Sequence, residues 1–223
     1  VGFLIGLLIG VYKTLPIRED DSTLKKVLYK VFSFLLSAYI EVFRSTPMMV
    51  QATVIFYGAA WAFGLRLDPV TAGMFIISIN TGAYMAEIVR GGIISVDKGQ
   101  FEATHSIGMT HFQSMLYVIL PQAIRNILPA TGNQFIINIK DSCVLSVISV
   151  TELFFQTKSA AGATFQTFPA YFIACVIYFV LCFSITQILR KLETRMDGSE
   201  TYTIYGTEPV INGADTLKRG DTR

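Results

Sequence analysis

At 223 residues, 52% hydrophobic and 15% charged, with a mean hydropathy of +0.51, the chain is too apolar for an ordinary soluble domain. A net charge of +2 gives no reason to expect a nucleic-acid partner. Several stretches nearly free of charge, set against the ~20 residues that cross a bilayer as a helix, predict an all-α polytopic membrane protein with about five membrane segments.

The first apolar stretch, Val1–Tyr12, is too short to span and begins without Met or a charged flank. It reads as part of a longer first helix rather than a signal peptide, since a basic leading region and a small-residue cleavage site are both absent. A charged linker, Arg18-Glu-Asp-Asp-Ser-Thr, then offers Ser22 or Thr23 as a helix N-cap. Leu24, Val27, Leu28, Val31 and Leu35 follow at helical spacing and predict a helix lying along the inner membrane surface. Ser45-Thr-Pro47 opens the second membrane segment, 47–63, and a Gly64–Pro69 turn leads into the third, 70–88. The fourth covers 124–150 and the fifth 168–189, with an outer connection at Glu152–Thr167. Residues 1–195 read as one transmembrane domain without repeats, and 196–223 as a polar, solvated tail. Cys143, Cys175 and Cys182 lack metal-ligand spacing and read as small buried hydrophobes.

Lys and Arg fall unevenly about these segments. Lys13, Arg18, Lys25, Lys26, Lys30, Arg44, Arg90, Lys98, Arg125, Arg190, Lys191 and Arg195 collect on one side, and Arg66 and Lys158 on the other. The basic side is expected to be cytoplasmic, which places 97–121 and the C-terminus there.

That stretch parses as two short helices about a corner. Asp97 and Gln100 have capping-box spacing, Gly108 suits a helix stop, and Thr110 with Gln113 repeats the capping box. Phe112, Met115, Leu116 and Ile119 predict one apolar face for the second helix, and Pro121 ends or kinks it.

Within it, Glu102-Ala103-Thr104, three residues, Gly108, nine residues, Val118, one residue and Leu120-Pro121 resemble the EAA loop of ABC-importer permeases. Thr104 and Val118 replace the usual Ala and Ile of that pattern. Flanking stretches are similar to the polar amino acid permease branch: Tyr39 to Pro47, Asn80 to Gly92, Ser95 to Gln100 and Asn138 to Ser142. Ser45 stands where Gly is usual, and Cys143 where Ser or Thr is common. The match covers roughly 39–195. The resemblance implies a type I importer permease fold in a cell inner or plasma membrane, with Glu102, Ala103, Thr104, Gly108, Leu120 and Pro121 coupling it to separate ATPase subunits. Those partners would carry ATP and Mg, leaving this chain no cofactor and no catalytic role. A second permease subunit, identical or related, and an extracytoplasmic amino acid binding protein are the other implied partners.

Charged groups at membrane depth are expensive and face a partner or a wet path. Glu87, Lys140 and Asp141 are three such groups, and Asn80, Tyr84, Gln134 and Asn138 accompany them. Asn80, Tyr84 and Glu87 share one helix face; Gln134, Asn138 and Asp141 share another. Two readings stand: a passage for a zwitterion, with Lys140 meeting its carboxylate, or structural pairing between helices. Arg90 reads as an interfacial anchor or a coupling residue.

No phosphate-binding Gly-x-x-x-x-Gly-Lys-Ser/Thr loop, Gly-x-Ser-x-Gly elbow or His-Glu-x-x-His pattern occurs. His105 and His111 have no metal-spaced companions and read as surface or interface residues. An ion-coupled secondary transporter, or a channel or scaffold, remains the alternative to an ATP-driven importer. The particular amino acid is not written in these residues.

Overall fold

A computed structural model of the chain describes residues 1–15 and 22–196, which are helical in all their regular elements. Arg18 with most of its linker, and the polar tail beyond Met196, lie outside the described residues. The all-α expectation holds.

Helix α4, Pro69–Ile94, is the axis of the fold. Asp68 caps it, its carboxylate accepting from the Thr71 amide at 2.9 Å, and Pro69 supplies the first turn where no N–H is needed. The Thr71 amide and hydroxyl hold the Asp68 carboxyl below its ordinary range, so the cap persists until pH falls through that lowered value. Its 26 residues extend about 39 Å at 1.5 Å per residue, enough to cross a bilayer.

Helix α1, Gly2–Tyr12, runs parallel to α4 and very close to it. Gly2, Gly6 and Gly10 face the α4 backbone in turn, at Ser78, at Gly82 and Ala86, and at Ala86, with the Val89 side chain also against Gly10. Glycines four apart form the small-residue stripe that lets membrane helices touch backbone to backbone.

The expected surface helix is instead α2, Thr23–Ser45, a 23-residue helix running antiparallel along α4. Ser22 caps it. Tyr29 stacks on Tyr12 at 5.1 Å, Tyr39 donates its hydroxyl to the Ile79 carbonyl, and Arg44 reaches Glu87. Arg44 therefore does not share a membrane face with Lys25, Lys26 and Lys30: along the helix it stands about 28 Å from Lys25.

Helix α3, Met48–Phe63, ends at Gly64, whose φ of 66° gives the left-handed turn a helix C-terminus needs. Helices α5, Lys98–Ser106, and α6, His111–Ser114, form a hairpin. Beyond α6 a π-helical turn, Met115–Ile119, joins without a break to α7, Leu120–Asp141, so Pro121 neither ends nor interrupts the helix. Pro121 would crowd the carbonyl four residues back, and the wider turn, closed by the Leu120 amide on the Met115 carbonyl, makes room for it. A 3₁₀ segment, Ser142–Ile148, completes the fourth apolar stretch.

The expected outer connection holds a helix of its own, α8, Leu153–Thr164. Glu152 caps it, accepting from the Phe154 and Phe155 amides at 2.7 and 2.6 Å and from the Tyr178 hydroxyl at 3.1 Å. Tyr178 belongs to α9, Thr167–Met196, a second helix long and apolar enough to cross a membrane.

Two apolar cores result. Met85, Val89, Ile93, Ile119, Ala123 and Ile127 pack at the Ile94 end of α4, and Ala52, Ala72, Ile76, Leu145 and Ile148 at its Pro69 end. Between them lies a polar belt.

Candidate functional site

The belt begins with a side chain that sequence reasoning passed over. Gln51, buried on α3, donates to the Phe43 carbonyl at 2.9 Å and to the Thr46 carbonyl and hydroxyl at 2.9 and 2.8 Å. Its own carbonyl accepts from Asn80 at 2.9 Å. The pair ties the α2–α3 corner at Pro47 to the middle of α4. Its sequence signal is a lone Gln in an apolar run, four residues after the Pro47 break. Asn80 is thus engaged in structure on one side while bordering a cavity on the other. Asn80→Leu should strand the Gln51 carbonyl, costing about 1–3 kcal/mol. Thermal unfolding in detergent should show this as a fall of roughly 2–4 °C per kcal/mol. An unchanged midpoint with uptake lost would make Asn80 a cargo contact instead.

The cavity, about 420 Å³, is bounded by Arg44, Ser45, Thr46, Pro47 and Met48 of the corner, Asn80 and Tyr84 of α4, and Gln134, Ile137 and Asp141 of α7. The structure therefore brings four of the expected passage residues together: Asn80, Tyr84, Gln134 and Asp141. It leaves three outside. Asn138 accepts from Gln134 at 3.1 Å and borders a separate cavity of about 260 Å³ with Ser78, Thr81 and Thr131. Glu87 is held by Arg90 on its own helix, at 2.7 and 3.2 Å. Lys140 is exposed, without an ion pair among the described residues. Lys140 stands outside this cavity, because one residue round α7 from Asp141 turns its side chain off the cavity face.

Arg44 supplies the cation that Lys140 does not. Its guanidinium lies over the Tyr84 ring, 5.7 Å from the centroid, and 3.9 Å from Glu87. Arg90 takes the shorter bonds to Glu87, so the cluster of two arginines and one glutamate keeps a surplus positive charge at the cavity wall. Arg90 is a charge partner of Glu87, which neither sequence reading of it included.

The hairpin is built as its local signals require, with two amendments. Gly108, at φ 78°, closes a paired helix stop: the Met109 amide bonds the Thr104 carbonyl and the Gly108 amide the His105 carbonyl, each at 3.0 Å. Thr110 and Gln113 cap α6 reciprocally, at 2.9 and 3.3 Å. Asp97 caps α5 through the Gly99 amide at 2.6 Å, but Gln100 does not return the bond. Its side chain accepts from Gln122 at 3.2 Å instead, clasping α5 to α7. The expected single apolar face is split by the π turn: Met115 and Ile119 pack into the core while Phe112 stays 72% exposed.

Glu102 and Ala103 are exposed, and the Glu102 carboxylate has no partner among the described residues. Ile107, 76% exposed, and Phe112 flank the corner on the same free tip. Thr104 is different. It is buried, with its hydroxyl donating to the Phe101 carbonyl at 2.8 Å, and so supports the corner rather than presenting a contact. Leu120 is half-buried and Pro121 exposed at the π turn.

The family model described as binding-protein-dependent transport system inner membrane component matches residues 22–198. The chain belongs to this family. As an inner-membrane component of such a system it meets the resemblance to ABC-importer permeases drawn from the EAA pattern. Glutamine transport system permease protein GlnP of Escherichia coli (strain K12) is 42% identical over 159 residues, 71% of this chain and 73% of the relative. L-cystine transport system permease protein TcyB of Bacillus subtilis (strain 168) is 36% identical over 200 residues, covering 84% and 85%. A crystal structure of an amino acid ABC transporter with histidines superposes with a TM-score of 0.77 at 42% identity, covering 87% of this permease and 85% of that chain. The chain has the type I importer permease fold.

Proposed function

We propose that this permease is a transmembrane subunit of an ATP-driven importer that moves a polar amino acid into the cytoplasm. It crosses the membrane several times with its basic side, the hairpin and the C-terminus in the cytoplasm. Separate ATPase subunits grip the hairpin tip, where Glu102, Ala103, Ile107, Gly108 and Phe112 stand free. A second permease subunit completes the passage, and an extracytoplasmic binding protein delivers cargo at the Pro69 end of α4. Nucleotide and Mg act on the ATPases, and the present chain supplies the lever and the passage.

The observation that carries this reading is the cavity between the two apolar cores. Its volume falls in the ~300–1,000 Å³ range of small-molecule sites. It offers opposite charges, Arg44 from the α2–α3 corner and Asp141 from α7, with Tyr84, Asn80 and Gln134 between them. A zwitterion placed there presents its carboxylate to Arg44 and its ammonium to Asp141. The amide-bearing and disulfide-bearing cargos named for the relatives fit the same frame, since each carries that zwitterion.

The test is reconstitution in liposomes with the ATPase and binding-protein partners, a panel of labelled amino acids, and parallel ATP hydrolysis. Uptake of one or a few polar amino acids with cargo-stimulated hydrolysis is the expected result. Uptake driven by a proton or sodium gradient without ATPase would establish a secondary transporter, and no cargo-stimulated hydrolysis a channel or scaffold. In the same assay Arg44→Ala should lower uptake efficiency about 10–100-fold, the 1.5–3 kcal/mol of one charge-assisted hydrogen bond, mainly through KM. Arg44→Lys should recover part of it. An unchanged KM in folded Arg44→Ala protein would leave Arg44 a structural partner of Glu87 only.

A further inference from the structure

Arg90 follows Glu87 by three residues on α4 and stands outside the Arg44–Asp141 cavity. Its guanidinium holds both carboxylate oxygens of Glu87, Nε donating to Oε1 at 3.2 Å and Nη2 to Oε2 at 2.7 Å. Residues three apart meet on one helix face, so this fork needs no other element to form it. Arg44 approaches the same carboxylate from a different helix and stops at 3.9 Å, beyond hydrogen-bond range. Its guanidinium is drawn to Glu87 and lies over Tyr84, but makes no hydrogen bond among the described residues.

The other charges nearby leave this arrangement alone. Asp141 borders the cavity from α7 and forms no ion pair with Arg44 among the described residues. Lys13, just beyond α1, also attracts Glu87, but its ammonium donates to the Ser37 hydroxyl at 3.0 Å. Arg90 is therefore the group that fills Glu87. Without it both carboxylate oxygens would stand open, and Arg44 would need to close by only about 1 Å to bond them. A bond between two charged groups is among the stronger kinds, so Glu87 would capture Arg44. An arriving carboxylate would then meet an arginine already spent.

We propose that Arg90 is a positioning residue for cargo binding: by occupying Glu87 it keeps the Arg44 guanidinium free for the carboxylate of an amino acid. Affinity then depends on a residue that touches neither the cargo nor the cavity, through the fraction of time Arg44 is available. The role rests on the reading of Arg44 as the cargo's carboxylate partner.

The experiment uses the whole importer complex in liposomes and a panel of radiolabelled polar amino acids, glutamine and cystine among them. Arg90→Ala should raise KM about tenfold for each amino acid the parent takes up, as when Glu87 holds Arg44 about nine-tenths of the time, with the maximal rate little changed. Arg90→Lys should stay within about threefold of the parent, because a cation still fills Glu87. The deciding variant joins Arg90→Ala to Glu87→Gln. A neutral amide no longer competes for Arg44, so KM should return to within about threefold of the parent. A merely structural Arg90 predicts the opposite, since the second substitution would add to the damage. A parental KM in Arg90→Ala, or a double variant no better than Arg90→Ala, overturns the positioning role. Arg44→Ala separates that failure from a failure of the underlying reading. A raised KM in Arg44→Ala beside either of those results rejects the role of Arg90 alone. An unchanged KM in Arg44→Ala, or no uptake of any amino acid by the parent, rejects the reading on which it rests.

Discussion

Gly6→Leu should leave almost no monodisperse, folded protein on size-exclusion chromatography in detergent, and what survives should melt well below the parent. A Cβ at Gly6 would run into the Cβ of Met85 and stand 2.9 Å from the amide nitrogen of Ala86 and from the carbonyl oxygen of Gly82. Two of these three neighbours are backbone atoms of α4, which have no rotamer to change. The helices must separate, and Gly2 and Gly10, with atoms at 2.6 Å, then lose their fit as well. Overpacking of this kind costs about 1–3 kcal/mol even where side chains can yield. Against rigid backbone the cost should reach roughly 3 kcal/mol or more, a large part of the ~5–15 kcal/mol a domain has. Gly58→Leu is the control, since nothing lies within 4 Å of a Cβ there. A Gly6→Leu protein that elutes and melts like the parent would show that α1 does not depend on backbone contact.

The same stripe shows what was legible and what was not. Gly2-x-x-x-Gly6-x-x-x-Gly10 is visible in the sequence, but its spacing does not say which helix lies against it. Local devices were readable in full because they are closed within a few residues: the Gly108 corner and the Thr110–Gln113 cap depend on nothing distant. Elements set by tertiary contact were not. The apolar spacing of Leu24 to Leu35 is equally consistent with a surface helix and with one packed along α4, and only contacts such as Tyr39 to Ile79 decide between them. Charge sign alone groups Arg44 with Lys25, whereas the rise of the helix separates them.

The passage residues follow the same rule. Types and depth could be read, but phase could not. Lys140 and Asp141 are neighbours in sequence and part company by about 100° around the helix, so one joins the cavity and the other the open face. Likewise the π turn rotates Phe112 away from Met115 and Ile119, a shift that no uniform 3.6-residue template contains. Even the buried Asn80 divides its role, because Gln51, the group that claims its amide, comes from a different helix.

Gly108→Val should cut ATP-driven uptake on the order of 100-fold while folded yield stays near the parent and hydrolysis no longer responds to cargo. Gly108 is exposed, and nothing lies within 4 Å of a Cβ there, so added bulk meets no neighbour in this chain. The conflict is conformational: at φ 78° a β-branched residue is strained by at least ~1–2 kcal/mol. Relief of that strain opens the corner and changes the angle between α5 and α6. From α6 the chain continues as one helical rod to Asp141, clasped to α5 by Gln100–Gln122 and to the end of α4 by Asn126–Ser95 at 2.9 Å. A changed angle at the tip is therefore delivered to Gln134, Ile137 and Asp141 on the cavity wall. Gly108→Asn separates backbone from bulk, because Asn tolerates the left-handed region, and it should restore coupling to within a few-fold of the parent. Equal failure of the Val and Asn variants would assign Gly108 to close contact with the ATPase instead. Parental uptake and cargo-stimulated hydrolysis in the Val variant would remove the corner from the coupling path altogether.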